Sequence, residues 1–124
     1  MTQEDKELLL KDLCARLPYG VKLDTLEGPQ ELDIRWLAIN MCNISSPYLP
    51  YLFPLSSMTE EQKEEYYYIV NYISPDDTEN WAEGEFVYVN QIEQLLHFYY
   101  TNHLDYRGLI PMGLANDATG LNIY

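Results

Sequence analysis

The stretch ELDIRWLAINMCNI, residues 31–44, decides how much sheet the chain holds. Leu32, Ile34, Trp36 and Ala38 alternate as a half-buried strand requires, while Leu32, Trp36 and Ile39 also fall on one helix face. We read the stretch as a strand, with a helix as the alternative. On its amino-terminal side, Thr2 and Asp5 form a capping pair, and Leu9, Leu10, Leu13 and Leu17 repeat at helical spacing until Pro18 and Gly20 end the run. Residues 19–23 then read as a short strand, followed by a turn at Glu27, Gly28 and Pro29.

On the carboxyl-terminal side, SSPYLPYLFPLSS (45–57) carries Pro47, Pro50 and Pro54. Each removes a backbone donor and restricts its predecessor, so the segment is an extended connector that either crosses the core or is displayed to a partner. In SSMTEEQKEEYYYIVNYI (56–73), Ser57 precedes Glu60 and Thr59 precedes Gln62 at capping-box spacing, and this is the clearest helix start in the chain. The helix is expected to end before Pro75. After the acidic loop SPDDTENWAEGE, residues 85–89 read as a further strand, and Asn90 with Glu93 starts a helix running to about His103. Gly108 and Gly113 break the chain, and NDATGLNIY (116–124) has the small polar character of a frayed tail.

These elements predict a single α+β domain over residues 1–115 with a polar tail at 116–124. The expected architecture is a small antiparallel sheet, an amino-terminal helix and two carboxyl-terminal helices packed on one face, with Leu13, Trp36, Ile69, Ile73, Leu95 and Leu96 in the core. A chain of 124 residues suits one such core.

Composition narrows the function. Twenty Asp and Glu against seven Lys and Arg give a net charge of -13, which repels a phosphate backbone and an anionic membrane surface alike. Direct nucleic-acid binding and membrane attachment are therefore not expected. No apolar run approaches the roughly 18 residues of a spanning helix, and the acidic amino-terminal stretch lacks the pattern of a secretory signal. The expected setting is the cytoplasm. Cys14 and Cys42 have no Cys-x-x-Cys partner and read as small buried apolar residues.

Catalytic and metal chemistry find little support. His97 and His103 lie six residues apart, about 120° and 9 Å from each other on a continuous helix, so they cannot share a metal. A Glu93–His97 pair lacks a second pair elsewhere, and the acids from Asp76 to Glu85 do not follow a calcium-loop pattern. No metal, cofactor or phosphate loop is expected. His103 and Asp105 could supply a base and its orienting group, with Arg107 holding an anionic substrate; the structural alternative is a helix exit pinned by Gly108.

Twelve tyrosines are the compositional signal. Tyr66, Tyr67 and Tyr68 sweep about 200° of a helix, so at least one ring must leave the core. With Tyr72 beside them and Tyr99–Tyr100 on the next helix, they point to an aromatic recognition patch formed by Tyr66, Tyr67, Tyr68, Tyr72 and Tyr100.

PLSSMTEEQKEEYYYIVNYI and HLDYRGLIPMGLA together resemble a group of short proteins encoded by gut anaerobes and their phages or other mobile elements. The similarity is clearest over the carboxyl-terminal two-thirds, with Pro54 to Glu60 and Asp105 to Ala115 as its recurring pieces. No activity is attached to the group, so the resemblance implies a bacterial or phage-related setting and no site residues. The expected function is a non-enzymatic protein-interaction module whose exposed tyrosines meet a protein partner and whose acidic flanks select a basic one. The alternatives are an acidic nucleic-acid mimic, using Glu60, Glu61, Glu64, Glu65 and the following acidic loop against a DNA-processing enzyme, and a small hydrolase built on His103 and Asp105.

Overall fold

The computed structural model describes residues 2–42, 47–71 and 81–124, with side chains in the last segment from residue 91 onward. Among the described residues it is a mixed α+β fold: four α-helices, an antiparallel hairpin sheet and a short parallel strand pair.

Helix α1 (Gln3–Arg16) starts at the expected capping box, where the Asp5 N–H donates to Thr2 Oγ1 and the Thr2 N–H to Asp5 Oδ2, both at 3.1 Å. It buries Leu9, Asp12, Leu13 and Arg16, a helical stripe in which two members are charged. A single 3-10 turn over Leu17–Tyr19 ends at Gly20, whose φ of 73° is open to glycine without the usual Cβ penalty. Strands β1 (Lys22–Thr25) and β2 (Gly28–Glu31) then pair antiparallel. Thus Gly28 and Pro29, expected in the turn, belong to the second strand, and Leu26 and Glu27 make the tip. The register explains the proline. Leu32 N–H donates to Val21 C=O, so the bonded positions alternate from there and Pro29, opposite Asp24, falls where the ladder needs no N–H.

Residues 31–44 do not form the expected strand: α2 spans Ile34–Cys42. Asp33 caps it, its carboxylate accepting the Trp36 N–H at 2.9 Å. The burial period is four, with Leu32, Trp36 and Asn40 inside and Ile34 75% exposed, which removes the alternation a strand would need. Asn40 then fixes the chain that follows, donating to Tyr48 C=O at 2.8 Å and accepting the Tyr48 N–H at 2.9 Å.

The proline connector crosses the core. Tyr48 meets Trp36 edge to face, Leu49 C=O accepts the Asp24 N–H, and Pro50 bridges to Leu23. Strand β3 (Tyr51–Leu52) pairs in parallel with β4 (Asn116–Asp117), and Phe53 exchanges backbone bonds with His103 and Asp105. The 116–124 stretch is accordingly pinned rather than frayed: Ala118 is buried, and the Tyr124 hydroxyl donates to Tyr51 C=O at 2.7 Å and accepts the Lys22 N–H at 2.8 Å.

Helix α3 (Glu60–Asn71) opens on the Thr59–Gln62 capping box, as its spacing predicts. Helix α4 runs unbroken over Trp81–Thr101, overturning the expected strand at 85–89 and the helix start at Asn90. Val87 and Val89 favour a strand locally, but extending an existing helix adds a hydrogen bond for each residue fixed, whereas a five-residue strand needs a partner. Gln62 meets Asn102 while Gln91 reaches the Ile69 carbonyl, so the two helices are antiparallel. Ile69, Phe98 and Leu104 form a small core between them. The larger core gathers Leu9, Leu13, Leu23, Trp36, Leu52 and Leu109 with their neighbours. Of the expected core residues, Leu13, Trp36 and Ile69 are buried, Leu95 and Leu96 are half-buried, and Ile73 lies outside the described residues.

Candidate functional site

Helix α3 presents two unlike faces. Gln62, Tyr66, Ile69 and Val70 turn inward, and Tyr66 meets Phe98 and Tyr99 of α4 with ring centroids 6.3 and 6.4 Å away. On the other side, Glu60, Glu61, Glu64, Glu65, Tyr67 and Tyr68 are exposed and, at about 100° per residue, share a sector of roughly 160°. Tyr67 is 69% and Tyr68 65% exposed, the outcome that three consecutive tyrosines on a helix require. Lys63 stands at the edge of this sector and pairs with Glu60 at 3.2 Å. The face therefore combines ring surface with a dense negative charge.

Of the other expected members of the patch, Tyr66 and Tyr100 do not join it. Tyr66 is half-buried, and Tyr72 lies outside the described residues together with the acids at 76–80. Tyr100 is only 8% exposed, because it forms part of a buried polar cluster. Its hydroxyl shares a 2.7 Å hydrogen bond with Tyr106, and its ring lies 5.3 Å from the Arg16 guanidinium. Tyr106 stacks on Tyr99 at 4.8 Å, and burial followed by the Tyr100 hydrogen bond raises its phenol far above the usual range.

Asp12 and Arg16 centre that cluster, both fully buried. Arg16 Nε donates to Asp12 Oδ2 and Nη2 to Leu104 C=O, each at 2.7 Å, while Arg107 Nε reaches Asp12 Oδ1 at 3.1 Å. One carboxylate thus holds two guanidinium groups and ties α1 to the chain beyond α4. Sequence reasoning missed this pair. Its signal was an Asp and an Arg at i, i+4 spacing on the same stripe as Leu9 and Leu13, the buried face of an otherwise conventional amphipathic helix.

His103, Asp105 and Arg107 are engaged separately. His103 sits past the end of α4 with φ 54°, its ring stacked on Tyr124 at 3.8 Å. Asp105 accepts the Leu109 N–H at 2.8 Å and the Ile110 N–H at 2.9 Å, one on each carboxylate oxygen, which shapes the loop carrying Leu109 into the core. Arg107 is taken by Asp12. The base–orienter pair of the hydrolase reading is therefore not assembled, and the helix-exit reading describes the geometry.

His97 is exposed and meets the Tyr19 hydroxyl at 3.2 Å. Cys14 and Cys42, expected inside, are both exposed thiols. A groove of about 240 Å³ between α1 and α2 has Leu9, Leu10, Leu13 and Met41 among its walls and gathers none of the candidate site residues. Among the described residues no helix is long and apolar enough to cross a membrane. No protein-family model, curated protein or solved structure matches the chain.

Proposed function

We propose that the chain is a non-enzymatic protein-interaction module that docks a partner on the outer face of α3, in the cytoplasm and in the bacterial or phage-related setting that the resemblance implies. The observation that carries this reading is the exposure of Tyr67 and Tyr68 amid Glu61, Glu64 and Glu65 on one helical face. Tyrosine supplies contact area with few rotatable bonds and a hydroxyl that tolerates water, which favours it at recognition surfaces. The glutamates steer and select a basic partner, contributing more to encounter rate and discrimination than to affinity.

The test is capture from bacterial lysate by the wild type, by Tyr67→Ala/Tyr68→Ala and by Glu61→Gln/Glu64→Gln/Glu65→Gln. The reading expects one basic protein retained by the wild type, lost with the tyrosine pair and weakened with the glutamine set. Capture of nothing, or equal capture by all three, contradicts it. The nucleic-acid-mimic reading draws on Glu60 with the same three glutamates, which lie together rather than scattered, with Lys63 only at their border. It expects the opposite ranking, in which the glutamine set abolishes capture of a DNA-binding enzyme and the tyrosine pair leaves it intact.

A further inference from the structure

We propose that the arm formed by residues 116–124 is an acid-released strap, seated on the neutral imidazole of His103 and freed when that ring takes a proton. The seat joins several segments at one point. Tyr124 stacks on His103 with centroids 3.8 Å apart and planes 16° from parallel, while its hydroxyl bridges Tyr51 C=O and the Lys22 N–H. Lys22 Nζ donates to Ile123 C=O, and the Asn116 and Ala118 N–H groups donate to Pro50 and Leu52 C=O, each at 2.8 Å. Loss of the ring stack removes one anchor of the far end and leaves it to the Tyr124 hydroxyl bonds and the Lys22–Ile123 bond beyond a short parallel ladder.

The surroundings of His103 disfavour a cation. Its Nδ1 is buried without a hydrogen-bond partner, so an added proton there would find no acceptor. Arg16 of α1 and Lys22 of β1 face the ring as positive charges, and only the π face of Tyr124 attracts a cation among these neighbours. Asp105, two residues on, has both oxygens committed to backbone N–H groups, and Asp24 of β1 faces the arm at Asn116, 3.5 Å away. Burial first, then Arg16, then Lys22, lower the imidazole pKa from 6.5 to about 4.

The sign follows from linkage. Release of the arm lifts the cover of Tyr124 but leaves Arg16 and Lys22 beside the ring, so a released His103 takes its proton more readily than a seated one, and docking weakens as pH falls toward 4. The limit is roughly tenfold per pH unit, and because only the share of the shift due to the arm's cover is relieved, the total is on the order of tenfold. Asp117 on the same arm acts elsewhere on the pH scale. The Thr119 hydroxyl and N–H hold its carboxyl below 3.8, so its contribution persists through this window.

Amide exchange read by NMR between pH 7.5 and 5.0, corrected for intrinsic rates, tests the strap. The expected result is a fall of about tenfold in the protection of Ala118 and Asn116, with Leu13 in α1 unchanged. His103→Asn keeps a residue that accepts the left-handed backbone and carries no titratable ring, and it should abolish the slope. A flat wild-type profile, the same slope in His103→Asn, or no protection of Ala118 at pH 7.5 overturns the proposal. Should His103→Asn not fold, the wild-type His103 ring resonance decides: titration near 4 to 5 supports the strap, and titration at 6 or above refutes it.

Discussion

The α1–carboxyl-terminal half and the α3–α4 hairpin handle polar side chains in opposite ways. The first buries them: Asp12 and Arg16 have no exposed side-chain surface, and Arg107 completes a network sealed by Tyr100 and Tyr106. Among the described residues the second keeps its charges outside, with four glutamates and two tyrosine rings on one solvent-facing side of α3 over a core that includes Ile69, Phe98 and Leu104. A buried charge is tolerated only when its partners are fixed, so the first region specifies one arrangement of distant segments. An exposed carboxylate without a fixed partner constrains the fold less than a buried one. Buried and exposed tyrosines of the same chain thus stand in different environments, Tyr100 inside a polar cluster and Tyr67 on the outer face of α3.

The sharpest way to break this comparison is Asp12→Ala, which leaves two guanidinium groups without their shared acid. Denaturant unfolding should report a loss of about 3–5 kcal/mol. Replacing Asp12, Arg16 and Arg107 together with apolar residues of similar volume should cost far less than the single change, because the penalty comes from stranding charge rather than from lacking an ion pair. Within the hairpin, Phe98→Ala should destabilise by about 3 kcal/mol through cavity formation in the smaller core. Thr59→Ala removes the capping hydroxyl of α3 and should cost about 1 kcal/mol in the same measurement. Smallest of all, Tyr67→Ala should shift stability by no more than about 0.5 kcal/mol while weakening partner capture. A large loss of stability in that last variant would place that ring with the structural tyrosines instead.

How far each region was legible in the sequence follows the same division. Capping at Thr2 and Thr59, the helix over residues 60–71 and the exposure of the tyrosine run depend on local spacing, and spacing is what a sequence displays. The 31–44 segment fits two periods, and the deciding facts were Asp33 as a cap and the bond of Asn40 to Tyr48, the second of which exists only once the proline connector has folded back. The extension of α4 through residues 85–89 set local strand preference against helix continuation. Tyr100 and the 116–124 arm were misread for a common reason: partners far off in sequence help to bury them, Arg16 for Tyr100, and Tyr51 and Lys22 for Tyr124 at 73 and 102 positions, and local composition carries no trace of them. The Asp12–Arg16 pair was legible in principle, as opposite charges at i, i+4 on an apolar stripe.

Hydroxyl-radical footprinting of the free chain and of its captured complex tests the docking face of α3 most directly, because it reads solvent access at individual rings. The account predicts strong labelling of Tyr67 and Tyr68 in the free chain, weak labelling of Tyr100, and protection of Tyr67 and Tyr68 in the complex. Weak labelling of both rings in the free chain, or labelling unaltered by the bound partner, would contradict it.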